Sequence, residues 1–233
     1  MTNVKKTTGA AFALGALLAF SPAVEAAVIA DIGADFSLAS NPNGNWRYGS
    51  ATSPGGTLTL FDSTFLSGPG NAIGYHAPMG ETFPFVSANL TGSSLAFGPT
   101  VVYAPYAAAF HPGEDGRYAV ARLTMPTTVT ATLSVIFTAL DGPFTDVHVW
   151  RNGASLFSGV VTPSSGPQDY HLADLFTAGD TIEAYVGYGD GSYHFDLTGV
   201  SFTLTTVPEP TSIALLLFGL TGLGLLGRRT VAR

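Results

Sequence analysis

Between residues 128 and 140, apolar and hydroxylated positions alternate. Val129, Ala131, Leu133, Val135 and Phe137 fall on one side, and Thr130, Thr132, Ser134, Ile136 and Thr138 on the other. Successive side chains on a strand point to opposite faces, so this pattern predicts a strand with one core face and one mostly hydroxylated face. Residues 145–151 and 154–160 are two further strand-like runs separated by Asn152-Gly153. Asn-Gly between such runs predicts a tight hairpin, because a type I′ turn needs φ > 0 at both central residues. Residues 181–188 alternate again, with Ile182, Ala184 and Val186 inward, and a last strand is predicted over 193–205 with Val200, Phe202 and Leu204 on one face. Asp174 to Gly179 reads as one helical turn.

The stretch 39–116 is less regular. Short strands are predicted near 46–49, 57–61, 83–87 and 101–103, with glycine and proline dense between them. No amphipathic helix of ordinary length appears between residues 27 and 206. Many short strands with turn residues between them predict an all-β fold, an antiparallel β-sandwich with a jelly-roll-like arrangement.

Two stretches follow neither pattern. From Thr211 to Gly227 no charged residue occurs, and a helix of that length spans roughly 25 Å. This is the short end of a transmembrane helix. Pro208 and Pro210 fence its start and Arg228, Arg229 and Arg233 follow its end, which places the basic side in the cytoplasm and the body outside the inner membrane. At the other end, Lys5 and Lys6 precede an apolar run from Gly9 to Phe20, and Val24 and Ala26 supply small residues at −3 and −1. This reads as a signal peptide, a helical segment cut before Ala27 by signal peptidase; a retained anchor helix is the alternative. The chain therefore divides into a signal peptide (1–26), a sandwich domain (27–206) and a C-terminal sorting signal (207–233). The last comprises a motif at 207–210, a transmembrane helix at 211–227 and a basic tail at 228–233.

The order Pro208-Glu209-Pro210, apolar helix, Arg228-Arg229 resembles the PEP-CTERM sorting signal of Gram-negative bacteria, also known by an ice-binding protein C-terminal label. The resemblance covers 207–233 and implies an exosortase as partner. In that family this membrane transpeptidase is thought to cut near the triplet. The inner membrane would then hold the precursor only transiently, with a periplasmic body, before release to the cell envelope or exterior. It further implies a host that makes an exopolysaccharide.

A second resemblance runs along the body. Asn41-Pro42-Asn43-Gly44, Trp46, Tyr48 and Gly49, then His111-Pro112-Gly113, 146–159 and 178–187, are similar to a recurring exported bacterial β-sandwich domain. Such domains look like galactose-binding or carbohydrate-binding-module sandwiches. The resemblance implies the fold and no shared activity.

Charge and composition narrow the chemistry. Both lysines lie in the signal peptide, so the body has only Arg47, Arg117, Arg122 and Arg151 against fourteen acidic residues. A body this acidic is a poor partner for nucleic acid. The chain has no cysteine, which excludes thiol catalysis and Cys-ligated metal.

Sugar binding needs flat aromatic faces beside polar groups. Trp46, Tyr48, Asp146, His148 and Trp150 are the candidate contacts, the last three on one face of a strand if Val147 and Val149 point inward. Plain packing competes for both tryptophans. Calcium wants six to eight oxygens. Asp190 with Asp196, and Glu114 with Asp115, are acidic glycine-containing loops that could supply some, although ordinary Asp-Gly turns explain them as well. No cofactor is otherwise implied, and no catalytic residue can be singled out. The sequence thus predicts an exported, exosortase-sorted, non-catalytic envelope or matrix protein with polysaccharide as its candidate ligand. A polysaccharide-active hydrolase is the alternative.

Overall fold

The computed structural model describes residues 25–207. The signal helix and the transmembrane helix predicted above lie outside these residues. The strands of the first half are β1 (Val28–Asp31), β2 (Trp46–Ala51), β3 (Thr59–Leu60), β4 (Ser63–Ser67), β5 (Ile73–Ala77), β6 (Phe85–Asn89), β7 (Leu95–Phe97) and β8 (Val101–Tyr103). Those of the second half are β9 (Ala108–His111), β10 (Tyr118–Thr124), β11 (Val129–Ala139), β12 (Thr145–Arg151), β13 (Ala154–Val161), β14 (Gln168–Phe176), β15 (Thr181–Tyr188) and β16 (Thr198–Thr206).

They form two antiparallel sheets packed as a sandwich. The eight-stranded sheet has the order β14-β11-β16-β9-β6-β5-β4, with β1 added to β16, and the six-stranded sheet has the order β13-β12-β15-β10-β2-β3. From β11 onward the chain crosses repeatedly between the sheets, β11 in the larger, β12 and β13 in the smaller, then β14, β15 and β16 in alternation.

The alternation read from the sequence is what closes the sandwich. Ala131, Leu133, Val135 and Phe137 of β11 and Phe202 and Leu204 of β16 meet Val147, Val149, Ile182, Ala184 and Val186 from the other sheet in one buried cluster. Each fully buried side chain of the size of Leu or Phe contributes about 1.5–3 kcal/mol. Asn152 and Gly153 sit at φ 52° and 78°, the left-handed pair that the hairpin between β12 and β13 requires.

Two sequence readings are corrected. Asp174 to Gly179 is not a helical turn: β14 runs through Asp174 to Phe176, hydrogen-bonded to β11 in continuous register from Val129↔Phe176 to Phe137↔Gln168. The last strand begins at Thr198 rather than 193, because 193–196 form a loop in which Phe195 takes φ 65°. At the end of the body, Thr206 closes β16 and the Val207 N–H donates to the Thr130 carbonyl.

A small third layer covers part of the larger sheet. The two-stranded β7-β8 ribbon lays Val101 and Tyr103 on Ile73, Tyr75, Phe85 and Ala109. As a result β5, β6 and β9 are buried at every position.

Candidate functional site

Trp46 and Tyr48 lie in the core, 2% and 0% exposed, and offer no ring face to a ligand. Both occupy the inward positions of β2. Trp46 packs edge-on against Phe202 at 5.0 Å and its indole N–H donates to Asp35 at 3.0 Å. Tyr48 stacks on His76 at 4.9 Å. The Asn-Pro-Asn-Gly turn explains the placement. Asn41 Nδ2 donates to the carbonyls of Tyr48 (2.6 Å) and Phe61 (2.9 Å), and Asn41 Oδ1 accepts from the Tyr48 N–H (3.0 Å). The motif ties down one end of the sandwich, so these two candidate glycan contacts are corrected to structural residues.

Asp146, His148 and Trp150 do share the outer face of β12, with Val147 and Val149 buried beneath. The three then separate by environment. Tyr118 donates to Asp146 Oδ2 at 2.6 Å, and His148 Nε2 reaches the same oxygen at 3.0 Å. His148 Nδ1 in turn meets the exposed Ser158 hydroxyl at 2.9 Å. Burial alone would raise the Asp146 carboxyl, but the His148 and Tyr118 hydrogen bonds outweigh it and hold it below the usual range. Trp150 packs against Tyr185, and the 52–58 loop lies over its ring. A Cβ on Gly55 would come within 2.3 Å of that ring.

The acidic loops do not converge. Asp115 bonds the N–H and the guanidinium of its neighbour Arg117. Asp190 accepts from the Ser192 N–H, which is a local turn. Asp196 is buried beside Phe144, whose N–H it accepts at 2.9 Å, and its second oxygen has no partner. Burial, reinforced by the Asp190 and Asp146 carboxylates, pushes Asp196 up to about 6. Among the described residues no group of three His, Asp or Glu side chains is placed to hold a metal ion.

A cleft lies elsewhere on the body. It measures about 720 Å³ and is lined by Gly80, Glu81, Thr82, Phe83, Glu114, Asp115, Arg117 and Tyr193. The loops β5–β6, β9–β10 and β15–β16 build it. Arg117 bridges two of them, donating to Glu81 at 2.7 Å and to Asp115 at 2.6 Å. Phe83 and Tyr193 pack against each other at 5.6 Å between ring centres, tilted by 60°, and the buried His111 ring lies 4.2 Å from Phe83. Burial lowers His111 to about 4, so it is a neutral ring at physiological pH; it hydrogen-bonds the Pro112 carbonyl through Nδ1. Beyond Tyr193, Phe195 projects into solvent, 67% exposed, from left-handed backbone. An aromatic residue held open in that conformation is a form of stored strain found at ligand sites. The cleft thus combines half-exposed aromatic walls with carboxylates and a fixed guanidinium, a set able to stack on a sugar ring and hydrogen-bond its hydroxyls. Of its lining, the sequence reading had only Glu114 and Asp115, and those as calcium candidates. The run Tyr193-His194-Phe195 after an Asp-Gly-Ser turn is the signal that could have pointed to the rest.

Residues 206–229 match the PEP-CTERM protein-sorting motif, beginning at the last residue of β16. The motif implies export, exosortase processing and sorting to the cell surface. No curated protein matches the chain. Among solved structures, the chain is similar to CBM51 from Clostridium perfringens GH95 in complex with methyl-galactose, with 10% identity and a TM-score of 0.36 over 64% of this chain and 95% of that one. It is similar also to the K3 cleaved adhesin domain of Lys-gingipain from Porphyromonas gingivalis w83, with 13% identity and a TM-score of 0.34 over 78% and 100%. A Clostridium perfringens ZmpB structure holding an M60 catalytic domain and two CBM51 domains matches at 11% identity and a TM-score of 0.34 over 43% of this chain, which spans only 11% of that one.

Proposed function

We propose that this chain is a non-catalytic component of the cell envelope or extracellular matrix that binds polysaccharide in the cleft lined by Phe83 and Tyr193. Residues 1–26 are its signal peptide, 27–206 its folded body and 207–233 a removable tail, cut near Pro208-Glu209-Pro210 while Arg228 and Arg229 hold the precursor in the inner membrane. The body is a jelly roll: β9 to β16, renumbered one to eight, give the sheet orders 1-8-3-6 and 2-7-4-5.

One observation carries the ligand reading. Three loops far apart in sequence bring two aromatic rings and the Glu81–Arg117–Asp115 ion network to one cleft of about 720 Å³. That volume is in the range of small-ligand sites, and the ion network fixes the polar groups before a ligand arrives, which lowers the ordering cost of binding. Asp146 and His148, half-exposed on the outer sheet, are available as outlying polar contacts for a longer glycan.

The test is a glycan array probed with the full chain and with Tyr193→Ala. Retention by the wild type and its loss in the variant support the reading. Equal retention by both moves the site away from the cleft. Turnover of a bound glycan that survives repurification favours a hydrolase instead.

A further inference from the structure

The four body arginines are unequally neutralised. Arg117 has two carboxylate partners, Glu81 and Asp115, and Arg151 has two, Asp174 and Asp180. Arg122 has one, Glu183. Among the described residues Arg47 has none; one of its Nη groups donates to the Thr124 hydroxyl at 2.9 Å. Arg47 and Arg122 are direct cross-strand partners in the β2–β10 register. Trp46, Tyr48, Ala121 and Leu123 are buried on the core side, so both guanidiniums belong to the outer face of the six-stranded sheet. Like charges directly opposite on paired strands repel at a Cβ separation of about 5 Å.

Glu183 cannot relieve this. It lies on the far side of Arg122, opposite it in the β10–β15 register. Its Oε1 is taken by Arg122 and its Oε2 by the Tyr185 hydroxyl at 2.7 Å, and it is 3% exposed. The strip Arg47–Arg122–Glu183 therefore keeps one uncompensated positive charge in a body with fourteen acidic residues and only four arginines.

We infer that Arg47 and Arg122 form a seat for one anionic group, the carboxylate of an acidic polysaccharide unit. Guanidinium groups present paired N–H donors that match a carboxylate, and most of the Arg47 donors are unused. The surrounding acidic surface repels polyanions at long range, but that field is screened within about 8 Å at physiological ionic strength, whereas contact at the seat is not. The seat is separate from the cleft. It rests on the proposed matrix role only for the source of the carboxylate.

Three titrations of the full chain separate the possibilities: sodium glucuronate against glucose, sodium sulfate, and an acidic against a neutral oligosaccharide. Wild type is expected to bind glucuronate and to prefer the acidic oligosaccharide. Arg47→Gln should weaken both by at least about tenfold, the loss of a charge-assisted hydrogen bond, and Arg47→Lys, which keeps the charge, should recover part of it. Arg47→Gln should leave neutral-glycan binding unchanged. The inference is overturned if glucuronate does not bind the wild type, if Arg47→Gln binds it equally well, or if sulfate binds and no acidic glycan does. It is also overturned if the unliganded chain self-associates and Arg47→Gln abolishes that, since a carboxylate of a second copy would then fill the seat. Failure of the cleft reading looks different: glucuronate would bind at Arg47 while Tyr193→Ala changed nothing on neutral glycans.

Discussion

Trp46 and Tyr48 on β2, and Phe83 and Tyr193 in the loops of the cleft, are the same class of side chain beside the same kind of turn, and they meet opposite surroundings. The first pair is caught in a strand paired on both sides, where register decides direction: Trp46 is opposite Leu123 and Tyr48 opposite Ala121, both core positions. The second pair sits where no ladder dictates direction. Phe83 precedes β6, and Tyr193 lies in the loop before β16. A ring on a central strand of a sandwich goes to the core or to the outer face according to its parity, while a ring in a loop stays half in solvent unless another element covers it. Aromatic residues next to a glycine turn therefore say little about binding until the strand register is known.

The comparison breaks first at Trp46. Trp46→Ala should cost about 3–5 kcal/mol, as expected for removing a large buried ring, and would be read from denaturant midpoints. A cost under about 1 kcal/mol would mean that the ring is not part of the core. Asn41→Ala should follow, at about 2–3 kcal/mol, since it strips the Tyr48 and Phe61 carbonyls of a donor and the Tyr48 N–H of its acceptor. If Asn41→Ala were neutral, the Asn-Pro-Asn-Gly turn would not be what orients β2.

How much of this was legible in the sequence follows from the same physics. Strands β11 and β12 were readable because one face meets the core and the other is partly open, which writes a period of two into the residues; β15 alternates in residue type although Ile182 to Gly187 are buried on both faces. Strands β5, β6 and β9 carried no such signal, because the β7-β8 ribbon and the core bury them on both sides. Strand β14, paired only with β11, is polar or exposed over much of its length, and Asp174 within it looked like the start of a turn. The shared face of Asp146, His148 and Trp150 was legible from parity alone. That Tyr118 and Ser158 complete a hydrogen-bonded chain with the first two, and that the 52–58 loop covers the third, depends on pairings between distant strands. The cleft was the least legible part, since its walls come from loops around residues 82, 115 and 193.

The two regions should also differ in their response to pH. What distinguishes the cleft side is Asp196, at the end of the loop that carries Tyr193, which burial pushes up to about 6. An unfolded aspartate titrates near 3.9. The native state therefore holds the proton more tightly, and the resulting stabilisation is fully present below about pH 4 and is lost as pH rises through about 6. The size is about 3 kcal/mol. Asp146 works in the opposite sense, because its carboxyl is lowered in the fold. The readable quantity is thus the difference between wild type and Asp196→Asn in melting temperature from pH 4 to 7. The variant should melt higher at pH 7 and lose its advantage near pH 4. A constant difference across that range would show that Asp196 is ionised throughout.

Tyr193→Ala should have the smallest effect on the fold and the sharpest on the comparison. The ring is half-exposed at a loop and touches Phe83, His194 and the ring of His111. Its removal should shift stability by no more than about 0.5 kcal/mol, the usual range for surface positions. Loss of glycan retention at unchanged stability would assign the ring to recognition, because a packing role predicts the two losses together. If stability instead fell by several kcal/mol, Tyr193 would join Trp46 as a structural ring. The aromatic wall of the cleft would then reduce to Phe83, too little surface to stack a sugar against.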